Sequence, residues 1–552
     1  VTDGEGLPVA AVDGQALAPP RAGRSPEPVA LRTLVSLSGA SLAAALLFWS
    51  PLLLGGSLHG HDWSTHHFHY FDWVRTSFVE HATLPLFMAD AWVTQNFIAN
   101  AEAPTLGPLA WLLFLLPTGA YVKLLIVVFT AAGLAGGWLL LRDLGASSAV
   151  ASLGCVLYAW SGFFASHVAV GHHWALGADL LPVLLFLYRR AALGSDGALV
   201  LAAALDALTI MGGQHQPFLW QNLVLAGFAA LWALRVRAAF PLLRFALLLL
   251  LCVGFGSVKL VPLGLEFADY APTARIQGLP AGSLLASLAG GGQGPDRVDP
   301  RIAFEHGAGW WEYAFYVGPL GLLCLVVGLA AARGCWPLIA IGVCFAVLAL
   351  EPLRVWPWLA ELPVWRSQRA PSRFLLLALF ALLAAASGGL ERLRRWAAAR
   401  RPRATAALAW GLVLASGTDL WIESLAWQRA ALGAPIESRQ HRPQPEVLRS
   451  PDAVAELASF APNRLTYRVK AVRGTRVLLP LGFGHAAAEW EVEGGRAHDV
   501  RGWLAVDVAA GDHELRLRYR PPGFRTGLGI STLSVLAAAG WLLWRRWSPR
   551  LR

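Results

Sequence analysis

The sequence predicts an α-helical polytopic membrane protein, with about twelve transmembrane helices and a small extracytoplasmic antiparallel β-sandwich before the last helix. Three observations carry this expectation. The chain of 552 residues is 56% hydrophobic and only 14% charged, whereas a soluble chain carries about 25% charge. Its 25 tryptophans suit a polypeptide that meets the membrane–water interface repeatedly. Near the C-terminus the periodicity changes to two: in "RLTYRVKA", Leu465, Tyr467 and Val469 alternate with Thr466, Arg468 and Lys470, and "HELRLRYR" repeats the pattern. About five strands are expected between Arg464 and Pro521.

Residues 1–30, rich in Pro, Gly and Ala without apolar periodicity, read as a flexible cytoplasmic tail. The run at 31–54 is too long for a signal-peptide core and reads as a retained span. Further spans are expected near 120–141, 147–168, 174–190, 197–211, 217–234, 241–262, 313–332, 335–350, 372–389, 404–424 and 526–545. If Leu106–Pro117 is a partly inserted helix that does not cross, then Arg142, Arg189, Arg190, Arg235, Arg237, Arg333, the block Arg392–Arg403 and the tail from Arg545 all fall inside. That satisfies the positive-inside rule and puts both termini in the cytoplasm. The net charge of +10 is thereby explained by topology, and nucleic acid is not an expected partner. Cys155, Cys252, Cys324, Cys335 and Cys344 fit neither a zinc pattern nor a disulfide framework and read as small apolar packers.

The chain accordingly divides into the tail (1–30), a transmembrane module (31–262) with a first outer loop at 55–119, and a second transmembrane part (263–425) with outer loops at 263–312 and 351–371. An extracytoplasmic β-domain (426–523) and a final helix with a basic tail (524–552) follow. The polar segments then gather on the outer side. The first outer loop opens with "GHDWSTHHFHYFDWVRTSFVEHATLPLFMAD", which holds five histidines and three aspartates. "VAVGHHWALGAD", "MGGQHQPF" and "VWRSQRAPSRF" emerge on the same face. Polar residues at membrane depth usually line a cavity or site, although each histidine alone also fits an interfacial residue bonded to backbone.

In order along the chain stand "HDW…VR…LPLF", "ANAEAPTLGPLAWLLFLLP", "LLLRDLGAS", "YAWSGFFASHVAVGHHWAL", "GGQHQPF", "RAPSRFLLLALFAL" and "PNRLTYRVKA…PPGFRTGLGIS". This ordered set resembles the YfhO-like bacterial membrane proteins of the GT-C superfamily, over nearly the whole chain after the tail. The resemblance implies a glycosyltransferase of the bacterial cytoplasmic membrane. Its donor would be a polyprenyl-phosphate-linked sugar, its acceptor a glycan, lipid or protein, and an acidic catalytic residue would lie in the first outer loop. The family's second outer position usually reads "GGHPQ"; this chain has "GGQHQP", which displaces His215.

Glycosyl transfer from a lipid phosphate needs a base for the acceptor and donors for the leaving phosphate. Asp62, just past the first span, is the expected base and Asp72 the next candidate; Asp62 could instead cap the helix that follows it. Arg366, Arg369 and Arg373 suit bidentate phosphate contacts, or interfacial snorkelling. His61, His66, Arg75, Glu102, His172, His173 and His215 are the remaining candidates for substrate contact. No cofactor is certain. A divalent metal is a further possibility, on His66, His67, His69, His172 and His173, although on an α-helix His67 points away from His66 and His69. A non-catalytic assembly factor and a transporter of lipid-linked glycans stand as alternatives. The second should place polar groups near mid-bilayer and show inverted repeats; the sequence has no such repeat, and the span interiors are nearly free of charge apart from Asp206.

Overall fold

The computed structural model describes residues 30–89, 94–267, 276–304, 308–351, 359, 368, 370–436, 447–479, 481, 489–501 and 503–547. The expected N-terminal tail lies outside them except for Ala30. Among the described residues, eight helices are long and apolar enough to cross a membrane: Leu31–Phe48, Thr118–Asp143, Ser148–Val170, His215–Val236, Phe240–Glu266, Pro371–Ala398, Pro402–Ala430 and Phe524–Trp547. The other four expected spans are shorter. Gly318–Ala331 and Trp336–Ala349 have 14 residues each, or about 21 Å at 1.5 Å per residue, short of a hydrocarbon core of about 30 Å. Asp196–Met211 has 16 residues. The run predicted at 174–190 opens as a 3-10 helix, His173–Leu180, and becomes α-helical only over Leu181–Ala192. Pro108–Phe114 is a seven-residue 3-10 helix, too short to cross, with Trp111 and Leu115 exposed.

Ion pairs and carbonyl contacts gather the arginine-rich loops at one end of the bundle. Asp143 pairs with Arg189 and Arg190, and Asp196 with Arg244 and Arg545. Glu391 takes Arg394 and Arg395 and accepts from the Ser147 amide, while Arg395 reaches the Gly145 carbonyl. At the opposite end the loop that follows Leu31–Phe48 meets the Val170 end of Ser148–Val170, where Trp63 Nε1 donates to the Val168 carbonyl at 2.8 Å.

The β-region is larger than expected. A five-stranded antiparallel sheet runs in the order Trp490–Glu493, Gly511–Tyr519, Arg464–Ala471, Ala453–Ala461, Val447–Ser450; a three-stranded sheet runs Thr475–Leu478, Trp503–Val508, Arg496–Val500. The strand Ala453–Ala461 escaped the periodicity search because it slips register at a bulge between Leu457 and Ser459, which breaks strict alternation. Leu465, Tyr467, Leu515 and Leu517 of one sheet share a core with Val477, Leu504 and Val506 of the other. Phe87 of the first outer loop enters that same core. Asn463, at φ +66°, clasps the loop: its Oδ1 accepts from the amides of Leu86 and Phe87 at 2.8 and 3.0 Å, and its Nδ2 donates to the Leu84 carbonyl at 2.8 Å. The β-region is thus fastened to the loop that carries the candidate site.

Candidate active site at the outer loop

The site begins with a departure from α-helical phase. Trp63–His67 forms a π-helical turn that runs into the helix Phe68–Val79. The hydroxyls of Ser64 and Thr65 both donate to the His61 carbonyl at 3.0 Å, competing with the backbone ladder at that turn. The changed phase buries His67 and His69 and leaves His66 exposed. His69 Nε2 bonds to the Ser64 carbonyl at 2.9 Å. Of the five histidines considered as metal ligands, exposed His66 thus stands apart from buried His67 and His69, so these three do not converge on one ion.

Asp62 does not cap the helix; its side chain makes no capping bond. Instead His172 Nε2 donates to Oδ2 at 2.8 Å and His61 Nδ1 lies 2.7 Å from Oδ1. The His61 ring is open to solvent, His172 is buried, and the Asp62 side chain is 24% exposed. Burial alone would raise the Asp62 carboxyl, but the bonds from His172 and His61 outweigh it and hold it well below the usual carboxylate range. At neutral pH an ionised carboxylate is therefore partly open to solvent.

Two glycines make this meeting possible. Gly171 ends the helix Gly162–Val170 at φ +105°, and a Cβ there would lie 2.3 Å from the Trp63 amide nitrogen. A Cβ on Gly60 would lie 1.9 Å from the Ala169 carbonyl oxygen. The crossing of the two segments requires both, and it delivers His172 to Asp62.

Beside Asp62 the His67 and His173 rings sit 4.4 Å apart, and Phe71 packs on His173 at 5.1 Å. Burial pushes the His67 imidazole down to about 3 and His173 well below its ordinary value, so both are neutral at physiological pH. His67 Nδ1 lies 3.9 Å from Glu102, too far for a hydrogen bond. Lys259, buried in the span Phe240–Glu266, donates to the carbonyls of Asn100 and Ala103 at 2.6 and 2.9 Å and so pins the loop bearing Glu102. This lysine corrects the expectation that Asp206 is nearly the only ionisable group inside the spans. The turn at Gly213 (φ +86°) brings His215 to the start of the helix His215–Val236.

Behind His172 lies a charged core that the sequence analysis did not identify. Arg373 donates Nε and Nη2 to Glu312 at 2.7 and 2.5 Å and Nη1 to Gln216 at 2.7 Å, with its guanidinium 4.5 Å over Trp174. Burial opposes ionisation of Glu312, but Arg373 prevails and holds it at about 2. The only outward signal was two opposite charges, in "WWEYAF" and "APSRF", each adjoining an apolar run. Arg373 is therefore committed to an internal pair rather than to a phosphate. Arg366 and Arg369 lie outside the described residues.

Asp72 and Arg75 also have structural duties. Asp72 is buried and accepts from Thr118 Oγ1 at 3.0 Å; Arg75 donates to the Leu116 carbonyl at 3.3 Å. Ten residues along from Asp62, or about 15 Å at 1.5 Å per residue, Asp72 ties its helix to the next span. An apolar cavity of about 280 Å³ adjoins the polar cluster, lined by Phe71, Pro108, Tyr121, Leu125, Leu208 and Gln214. A larger apolar cleft of about 880 Å³ lies among the helices Leu31–Phe48, Ser148–Ala159 and Pro402–Ala430 and holds none of these site residues.

No protein-family model and no curated protein sequence matches the chain. Among solved structures, the cryo-EM structure of the arabinofuranosyltransferase AftD from mycobacteria is similar over 72% of this chain, at 20% identity and a TM-score of 0.43. The match spans 27% of that protein's length. A likeness this distant bears on neither substrate nor mechanism, and the YfhO-like resemblance rests on the ordered segments of the sequence alone.

Proposed function

We propose that this chain is a membrane glycosyltransferase. It moves a sugar from a polyprenyl-phosphate-linked donor to a glycan, lipid or protein acceptor at the outer face of the bacterial cytoplasmic membrane. One observation carries the proposal: Asp62 is an ionised, partly exposed carboxylate anchored from behind by buried His172. Its two oxygens offer about four acceptor sites, so the bonds to His61 and His172 leave capacity for a substrate hydroxyl. In an inverting transfer the acceptor hydroxyl gives its proton to Asp62 as its oxygen bonds to the anomeric carbon. The bond from that carbon to the phosphate oxygen breaks, and the lipid phosphate departs with the electron pair.

The surroundings suit such a substrate. The apolar cavity beside His173 and Gln214 gives a lipid chain a place next to the polar groups. Neutral His67 and His173 adjoin Asp62, and Glu102, His61, His66 and His215 keep their proposed part as substrate contacts. Arg366 and Arg369 keep their proposed part as phosphate ligands.

The test is Asp62→Asn in the purified full chain, supplied with a polyprenyl-phosphate sugar pool extracted from membranes. Asparagine preserves the size of the side chain and a hydrogen bond with His172 but removes the base. Turnover should fall by about 10²–10⁴-fold with donor binding retained. Unchanged turnover would refute the role given to Asp62.

A further inference from the structure

We propose that His167, His172 and Glu312 form a binding site for one divalent transition-metal ion of the zinc type, buried behind Asp62. One nitrogen from each ring and one Glu312 oxygen lie within 4.8 Å of one another, and all three residues are buried. This trio differs from the His66/His67/His69 grouping and stands independently of the glycosyltransferase proposal.

The hydrogen bonds fix which ring nitrogens carry protons. His167 Nδ1 lies 2.9 Å from the Phe163 carbonyl oxygen, an acceptor, so Nδ1 bears the hydrogen. His172 Nε2 lies 2.8 Å from Asp62, again an acceptor, so Nε2 bears the hydrogen. In the neutral rings this leaves lone pairs on His167 Nε2 and His172 Nδ1. Those are the atoms without any hydrogen-bond partner among the described residues, although both are buried. Two orphaned lone pairs facing a carboxylate call for an electron-pair acceptor, and the Glu312 oxygens that accept from Arg373 keep further lone pairs for one. Buried polar atoms left unsatisfied are destabilising, and a metal ion removes that cost.

The surrounding bonds are those a metal site needs. Ligating histidines normally donate the other ring N–H to a carbonyl or carboxylate, and ligating carboxylates are themselves hydrogen-bonded. Phe163, Asp62 and Arg373 supply these three partners. Two imidazoles and one carboxylate match borderline ions such as Zn²⁺ and leave a fourth position open. Tetrahedral bonds of 2.0–2.2 Å place ligand atoms about 3.3–3.5 Å apart, so small side-chain rotations close the site. A metal on Nδ1 would also lock His172 in the tautomer that donates to Asp62.

The experiment uses the full chain without an affinity tag, stripped with chelator and titrated with Co²⁺ and then Zn²⁺. Stoichiometric uptake is expected, with the intense visible absorption of four-coordinate Co²⁺ that Zn²⁺ abolishes. His167→Gln should weaken binding by about 100-fold or more, and Asp62→Asn by about 10-fold, as loss of an outer partner does. His61→Ala and His66→Ala should leave affinity unchanged. Absence of uptake, or only the weak bands of a six-coordinate ion, overturns the site whether or not His167→Gln folds. Retained affinity in folded His167→Gln, or loss of it in His66→Ala, overturns it as well.

Discussion

Separating Arg373 from Glu312 should be strongly destabilising, because the pair is buried. Their side chains are 4% and 2% exposed, and two charge-assisted hydrogen bonds join them. In Arg373→Met the Glu312 carboxylate stays buried without its cation, a situation worth about 3–5 kcal/mol. Arg373→Lys keeps the charge but not the planar fork, so it cannot serve both Glu312 oxygens and Gln216 together. Loss of one charged hydrogen bond puts that variant at about 1.5–3 kcal/mol. The double variant Arg373→Met/Glu312→Gln buries no lone charge. Its cost should fall below the sum of the singles by at least about 2 kcal/mol, within the range of couplings between residues in contact. The assay is a double-mutant cycle of equilibrium unfolding in mixed micelles with a denaturing detergent. A cost below about 1 kcal/mol for Arg373→Met, or strict additivity, would refute the claim that water-excluded pairing holds this end together.

Gly171→Ala combines strain at φ +105° with a clash at the Trp63 amide, so it should destabilise by about 1–3 kcal/mol from strain alone and more from displacement of His172. Gly145→Ala, at φ +95° with open space around it, supplies the control and should be milder in the same thermal melt. For His67 the folded pKa, about 3, lies below the ordinary 6.5. Between those values the unfolded chain binds more protons, so stability should decline as pH falls from 6.5 toward 3. Glu312, held at about 2 from 4.5, acts in the same direction below pH 4.5. His67→Gln should flatten the decline above pH 4.5, and an unaltered pH–stability profile would contradict the burial argument. Asn463→Ala removes three hydrogen bonds, each worth about 0.5–1.5 kcal/mol, so amide exchange at Leu86 and Phe87 should quicken. Protection equal to wild type would show that Phe87 alone fastens the β-region.

Periodicity and composition determined the membrane class, the strands Arg464–Ala471 and Gly511–Tyr519, and the loops that share an end. Each of these is a property of consecutive residues in contact with lipid, water or a sheet face. Asp62 and His172 were also legible, because both stand where an apolar run gives way to titratable residues. Tertiary packing alone decided the rest. The π-turn at Trp63–His67 sent His67 inward against the α-helical phase, and Asp72 went to Thr118. Lys259 found the carbonyls of Asn100 and Ala103, and Glu312 found Arg373 from 61 residues away. A lone polar residue beside an apolar run carries no record of its partner. Burial makes the pairing obligatory, but only the crossing of helices distant in sequence determines which partner is within reach.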